Sequence, residues 1–155
     1  MCAPARVFRS QEEFVAAYDA GLLQEDMVAV VTHQGPQANG MPELHKLSPY
    51  LGVLQNKGKQ VALLTDGRMS GASGKILAAI HVTPEASDGG LIGRIEDGDL
   101  VTVDADSGVI EVAANLSERV DPVVDLSANQ FGMGRELFAN FRQRVSDSAH
   151  GASVF

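Results

Sequence analysis

Two loops of the sequence concentrate the side chains and glycines that could bind or transform a small molecule. The first loop, residues 34–43, reads QGPQANGMPE, and the second, residues 65–75, reads TDGRMSGASGK. The chemically useful side chains in these loops are Glu43, Asp66, Arg68, Ser70 and Lys75. Glycines let the backbone approach a ligand closely, and their N–H groups can bind an anion. The two loops are therefore the first candidates for a ligand site.

Each loop also has a purely structural interpretation. Glycine-rich loops after strands are often only tight turns. Glu43 could do no more than complement a helix dipole from the first turn, and Asp66 followed by glycine is common turn chemistry. Two such loops on one edge of a sheet favour the functional interpretation more than either loop does alone.

The standard catalytic and metal-binding motifs do not account for these loops. Gly67–Gly71 has one residue too many for the nucleophile elbow G-x-S-x-G. Gly74-Lys75 is followed by Ile76 and lacks the earlier glycine of a Walker A loop. Histidines occur at positions 33, 45, 81 and 150 and show no metal-ligand spacing such as i, i+4.

The elements around the loops predict how the loops come together. Residues 27–32 (MVAVVT) and 60–65 (QVALLT) are continuous apolar runs of strand length, so we expect two buried strands. A helix is predicted to open at Pro42 and run toward Gln55, with Pro49 kinking or splitting it. A strand–helix–strand unit implies a parallel pair with a right-handed crossover. Ligand sites collect at the carboxyl ends of such strands, so both loops should lie on one edge.

The remaining pattern predicts a mixed sheet with helices outside. Ser10 and Glu13 form a capping box for a helix that ends at Gly21. Short apolar segments with Asp-Gly turns indicate antiparallel hairpins, and the predicted strands are 78–82, 91–95, 100–103 and 109–112. Residues 131–145 are predicted to form a terminal helix, followed by a frayed tail. The expected fold class is α/β, with a barrel-like mixed sheet and flanking helices.

Composition limits the possible partners. Acidic residues number 20 and basic residues 12, giving a formal charge of −8, which argues against a nucleic-acid or anionic-membrane footprint. Cys2 is the single cysteine of the 155 residues, so an internal disulfide is excluded. We find neither an apolar run approaching eighteen residues nor the apolar stretch of a signal peptide, and we expect a cytoplasmic protein.

A family resemblance extends over nearly the whole chain. Residues 35–90, from GPQANGMPELHKL through TDGRMSGASGK to TPEASDGG, closely resemble the C-terminal part of the dihydroxy-acid and sugar-acid dehydratase family. APARVF near the start and GMGRELF near the end also match. The pair NGMPELHKL and TDGRMSGASGK points to the branch that acts on a phosphorylated sugar acid rather than to the branched-chain branch.

The resemblance implies a fold and a set of residue roles. The family fold for this part is a swivelling β/β/α domain. Glu43 matches the glutamate that the domain contributes to a magnesium site, and Ser70 matches the serine proposed as general base. Asp66 and Arg68 are candidates for holding the loop or the substrate's carboxylate and hydroxyls. Lys75 and Arg135 are weaker candidates for the substrate phosphate.

The resemblance also implies partners. Family members are several times longer, and their N-terminal domain carries the cysteines of an iron–sulfur cluster and most ligands of the divalent metal. We therefore expect residues 1–155 to be one domain, inactive without that partner, with a site in the cleft between the two domains of a homodimeric enzyme. The alternatives are a stand-alone module that binds a phosphorylated acid without chemistry, and a domain of a related aldonic-acid or dihydroxy-acid dehydratase.

Overall fold

The computed structural model describes residues 1–70 and 74–155; Gly71, Ala72 and Ser73 of the second predicted loop lie outside the described residues. Within them, six strands form one mixed sheet in the order β4-β3-β2-β1-β5-β6. The strands are β1 (Cys2–Phe8), β2 (Met27–Val31), β3 (Val61–Thr65), β4 (Leu77–Ala79), β5 (Leu100–Asp104) and β6 (Val109–Val112). Strands β1 to β4 pair in parallel, whereas β5 pairs antiparallel with both β1 and β6. The sheet curls into a half-barrel, which confirms the predicted α/β class and mixed, barrel-like sheet.

The described helices are short and lie between or after the strands. They are α1 (Gln11–Asp19), α2 (Pro36–Asn39), α3 (Leu47–Asn56) and α4 (Ala139–Arg142). The predicted start of α1 is confirmed, because the Ser10 hydroxyl accepts the N–H of Glu13 at 3.1 Å. The Glu13 carboxylate accepts the N–H of Arg9 instead of that of Ser10. In the part of the chain described here, no helix has the length and apolar character needed to cross a membrane.

The sheet separates two apolar clusters, and alternate residues of the central strands face each of them. Met27, Ala29 and Val31 of β2 belong to the cluster beneath α1 and α3. Val28 and Val30 belong to the cluster inside the curl of the sheet. All five residues of β2 and all five of β3 are buried, which confirms the prediction that both strands are covered on both faces.

Helix α3, the second of the two described helices between β2 and β3, begins later than the sequence predicts. It starts at Leu47, because Glu43 forms a bridge with Arg68 and the N–H of Leu44 donates to the Arg68 carbonyl at 3.0 Å. Pro49 is the third residue of this helix. An N–H in the first turn has no partner within the helix, so proline is tolerated there and the predicted kink is absent from α3.

Several predictions for the second half of the chain are wrong. The strand predicted at 78–82 is only β4, Leu77–Ala79, and it pairs in parallel with β3 instead of in an antiparallel hairpin. Residues 91–95 do not form a strand; Leu91–Arg94 is a 3₁₀ turn that packs Ile92 and Ile95 into the curl of the sheet. The long terminal helix is replaced by a 3₁₀ turn at Arg135–Phe138 followed by α4.

Glycines explain the missing helix. Gly132 and Gly134 have φ values of 84° and 80°, which lie outside the range of a right-handed helix. The tail also differs from the prediction of fraying, because the N–H of Ser146 donates to the Ser153 carbonyl at 2.9 Å.

Candidate functional site

The two loops leave the same edge of the sheet. Strands β2 and β3 are parallel neighbours in register, with Val31 beside Thr65 at their carboxyl ends. Residues 34–43 follow β2 and the loop that starts at Thr65 follows β3, so the two loops leave from strand ends that lie about 5 Å apart. The predicted convergence of the two loops is therefore present.

Glu43 and Ser70, 27 residues apart in the sequence, meet directly at this edge. The N–H of Ser70 donates to Oε1 of Glu43 at 2.6 Å. Ser70 is exposed, and within residues 1–70 and 74–155 its Oγ has no hydrogen-bond partner. Ser70 therefore lies next to the Glu43 carboxylate at an exposed part of the edge.

Arg68 places a positive charge beside this pair. Its Nε donates to the carbonyl of Met41 at 2.8 Å, and its Nη1 lies 4.0 Å from Oε2 of Glu43. About half of the Arg68 side chain is exposed, so the ion pair itself adds little stability. The guanidinium of Arg68 nevertheless places a positive charge next to the Glu43 carboxylate, which accepts the N–H of Ser70.

Asp66 lies behind the edge and is completely buried. Its Oδ1 accepts the N–H of Gln34 at 2.9 Å. Its Oδ2 accepts the N–H groups of His33 and Ala86 at 3.0 and 2.9 Å. Burial raises the pKa of the Asp66 carboxyl, although the three backbone donors act in the opposite direction. Both oxygens face the interior, so this position agrees with holding the loops and not with direct contact to a substrate.

Glu85 is a second buried carboxylate that sequence reasoning missed. Its oxygens accept the N–H groups of Gln37 and Ala38 at 2.8 and 3.0 Å, and the hydroxyl of Ser87 at 2.9 Å. A Cβ on Gly35 would approach Glu85 Oε2 to 2.4 Å, so the glycine is needed for this contact. The partners are 47 and 48 residues away in the chain, and the sequence carries no local signal for them.

Gln34 is the third anchor of the first loop and was also missed. Its Nε2 donates to the carbonyl of Arg9 at 2.6 Å, and its Oε1 accepts from the side chain of Asn39 at 2.9 Å. Gln34 is buried, and these bonds connect Arg9, which follows β1, to Asn39, the last residue of α2. The loop that carries Glu43 is consequently held by side chains from several parts of the sheet edge.

His33 adopts a strained backbone conformation at the same edge. It has a φ of 60° and a buried ring, with Nδ1 2.9 Å from the hydroxyl of Thr32 and 3.5 Å from Nη1 of Arg9. Burial first and the charge of Arg9 second lower the pKa of His33 to about 4. In the described ranges 1–70 and 74–155, histidine, cysteine and acidic residues do not gather in any group of three that could hold a metal ion.

The two predicted phosphate-binding cations lie in different places. Lys75 donates to the side chain of Asn56 at 3.1 Å and lies two residues before the start of β4, which runs parallel to β3. Lys75 is therefore at the amino end of the sheet, and the prediction that it shares an edge with Ser70 is wrong. Arg135 lies against the first loop, because its Nη2 donates to the carbonyl of Asn39 at 3.0 Å.

Comparison with known proteins gives consistent matches. Residues 1–152 match the family model for the dihydroxy-acid/6-phosphogluconate dehydratase C-terminal region. The chain is 59% identical to the phosphogluconate dehydratase of Rhizobium meliloti and 53% identical to that of Escherichia coli K12, over 98% and 97% of its length. It is 37% identical, over 94% of its length, to a dihydroxy-acid dehydratase of Wolinella succinogenes. The chain spans 26% of the length of each of these relatives.

Proposed function

Since the chain belongs to the dihydroxy-acid/6-phosphogluconate dehydratase C-terminal family, we propose that it is the C-terminal part of a phosphogluconate dehydratase. The complete enzyme would convert 6-phospho-D-gluconate to 2-dehydro-3-deoxy-6-phospho-D-gluconate and water, a step of the Entner–Doudoroff pathway. The observation that carries the proposal is the 2.6 Å hydrogen bond from the backbone N–H of Ser70 to Oε1 of Glu43, which joins the two loops at the carboxyl edge. It brings an exposed serine and a partly exposed carboxylate to the same place.

Ser70 would take the proton in this reaction. Its Oγ, as the alkoxide, accepts the proton from C2 of the acid, the electron pair of that C–H bond forms the C2–C3 double bond, and the C3 hydroxyl leaves as hydroxide. Transfer of the same proton from the Ser70 hydroxyl to this hydroxide gives water and restores the alkoxide. The resulting enol then becomes the 2-keto product. A serine hydroxyl is a weak base at its ordinary pKa, so nearby positive charge is required to stabilise its alkoxide. Arg68, whose guanidinium stands beside Glu43, supplies part of that charge.

Glu43 would contribute one ligand to a magnesium ion. Its donor chemistry fits, since carboxylate oxygens are preferred Mg²⁺ ligands and this one is partly exposed at the edge. A bound Mg²⁺ would neutralise the substrate carboxylate and so make the C2 proton more acidic. Within the described residues no complete ligand group accompanies Glu43, so the other ligands would come from the remainder of the enzyme.

The residues of this chain do not fit an iron–sulfur cluster. A cluster normally uses several thiolates, and Cys2 is the single cysteine. Cys2 also lies at the start of β1, roughly 20 Å along the strand from the edge that carries Glu43. In our proposal the cluster is held by the N-terminal part of a cytoplasmic, homodimeric enzyme, and this chain takes no direct part in binding it.

Two substitutions in the complete enzyme test the proposed roles. We expect Ser70→Ala to lower kcat by about 100-fold or more with little change in KM, because it removes a group needed only in the transition state. We expect Glu43→Gln to raise the Mg²⁺ concentration for half-maximal activity about tenfold or more, and to weaken Mg²⁺ binding measured by calorimetry without substrate.

Matched controls are available in the chain. Ser117 and Glu118 are exposed residues of a 3₁₀ turn that belongs to neither loop, so Ser117→Ala and Glu118→Gln should leave kcat and the Mg²⁺ requirement unchanged. A fully active Ser70→Ala enzyme would refute the assignment of Ser70. The 155-residue chain by itself should neither turn over 6-phosphogluconate nor show the visible absorption of a cluster, and either signal would contradict the proposed division of labour.

A further inference from the structure

A small cavity separates the first loop from the C-terminal segment. Its volume is about 190 Å³, and its walls are formed by Asn39, Gly40, Met133, Arg135, Phe138 and Arg142. The loop side is polar backbone and the opposite side carries two guanidinium groups. Gly40 has no atom within 4 Å of the position of a Cβ, so a ligand can approach the backbone there.

The two arginines at this cavity lack acidic partners. In contrast to Arg94 and Arg119, which bind aspartates, Arg135 and Arg142 make no ion pair within the described part of the chain. Arg135 donates to the carbonyls of Asn129 and Asn39. Two uncompensated cations at one cavity are notable in a chain whose formal charge is −8.

Arg142 is held in place without being neutralised. Its Nη1 donates to the carbonyl of Arg135 at 2.8 Å and its Nη2 to the side chain of Gln130 at 3.1 Å. Among the described residues, its buried Nε has no hydrogen-bond partner. A guanidinium oriented by neutral acceptors keeps its full charge, which an anion in the cavity can compensate.

The cavity lies at a suitable distance from the reacting end of the site. Gly40 precedes Glu43 by three residues, so their Cα atoms are at most roughly 10 Å apart. Between them, the carbonyl of Met41 is bound by Arg68. A six-carbon acid with its carboxylate and C2 beside Glu43 and Ser70 is therefore long enough for its far end to reach this cavity.

We propose that the cavity binds the phosphate group of the substrate, with Arg135 and Arg142 as its cationic ligands. This inference rests on the proposed function, because it assumes that the acid reacts at Glu43 and Ser70. Planar guanidinium groups match phosphate oxygens in charge and in donor geometry. The proposal also predicts substrate selectivity: an enzyme with this cavity prefers a phosphorylated acid to the same acid without phosphate.

The test uses Arg142→Gln in the complete enzyme, with Arg144→Gln as a control two residues away that does not line the cavity. We expect Arg142→Gln to raise the KM for 6-phosphogluconate at least tenfold and to change kcat less than threefold. Inorganic phosphate should inhibit the wild-type enzyme competitively and should inhibit this variant much more weakly. The inhibition constant of gluconate, which carries no phosphate, should be the same in both enzymes. Arg144→Gln should behave as the wild type.

The possible failures can be told apart. An active wild-type enzyme whose Arg142→Gln variant keeps its KM, or loses affinity for gluconate and 6-phosphogluconate equally, overturns the phosphate subsite alone. A complete wild-type enzyme that does not dehydrate 6-phosphogluconate overturns the proposed function itself. If Arg142→Gln does not fold, as judged by its melting temperature, Arg142→Lys decides: an intermediate KM for 6-phosphogluconate supports the subsite, and an unchanged KM refutes it.

Discussion

The ring of His33 is buried and lies beside the guanidinium of Arg9, and both conditions favour the neutral imidazole. Its pKa is lowered to about 4, by burial first and by Arg9 second, whereas an unfolded chain would have a value near 6.5. Between these two values the unfolded state binds a proton that the folded state does not. The contribution of His33 to stability is therefore complete above about pH 6.5 and is lost as the pH falls toward 4.

We expect His33→Asn to flatten this pH dependence. Asparagine tolerates the positive φ of this position and carries no titratable group. The wild-type chain should lose at most about 3 kcal/mol more unfolding free energy than the variant between pH 7 and pH 4. Urea unfolding at several pH values measures both curves, and parallel curves for the two proteins would contradict the assignment.

How far the site could be read from the sequence depends on how local its determinants are. The meeting of Glu43 and Ser70 was predictable, because two apolar runs with a helix between them imply parallel strands and a shared edge. The anchors Glu85 and Gln34 were not predictable. Their bonds cross 48 and 25 residues of chain, and nothing in the residue types distinguishes them from solvated polar groups.

Two glycines in helical segments have opposite structural roles. Gly35 precedes α2, and a Cβ there would lie 2.6 Å from Cδ and 2.7 Å from Cβ of Glu85, a side chain that is 2% exposed and cannot move aside freely. Gly52 lies inside α3, where, among the described residues, an added Cβ would meet only the Nζ of Lys75, at 3.6 Å. Steric crowding applies at the first position, and the low helix propensity of glycine applies at the second.

The same substitution should therefore change stability in opposite directions. We expect Gly35→Ala to destabilise the chain by about 1–3 kcal/mol, because it forces Glu85 away from the N–H groups of α2. We expect Gly52→Ala to stabilise it by about 0.5–1 kcal/mol. Chemical denaturation of the three proteins measures both values. A neutral Gly35→Ala would show that Glu85 does not hold the loop.

The elements that the sequence predicted well are those with a strong local signal. Strands β2 and β3 are continuous apolar runs, and α1 begins with a side-chain cap. The prediction of a terminal helix over residues 131–145 is wrong. Apolar spacing favours a helix there, but Gly132 and Gly134 adopt positive φ values that interrupt it. Residues 91–95 have strand-like composition, but packing of Ile92 and Ile95 into the curl of the sheet outweighs that preference.

Considered as a whole, the molecule combines a net negative charge with an exposed apolar region in its C-terminal segment. Large apolar side chains of the C-terminal segment are exposed, namely Phe131, Met133, Leu137, Phe138 and Phe141. This segment adjoins the first loop through the bond from Arg135 to Asn39, so the apolar region lies next to the candidate site. Contiguous exposed apolar surface of this kind usually marks an interaction face.

We expect the 155-residue chain to self-associate through this region. Burial of the aromatic and aliphatic side chains favours association, while the formal charge of −8 opposes it through repulsion that salt screens. Light scattering coupled to size exclusion should give a mass above 16.4 kDa that increases with protein concentration and with salt. Leu137→Glu should shift the mass toward the monomer, whereas Val123→Glu, at another exposed position outside the segment, should not. A single mass of 16.4 kDa at all concentrations would show that the exposed side chains do not drive association of this chain.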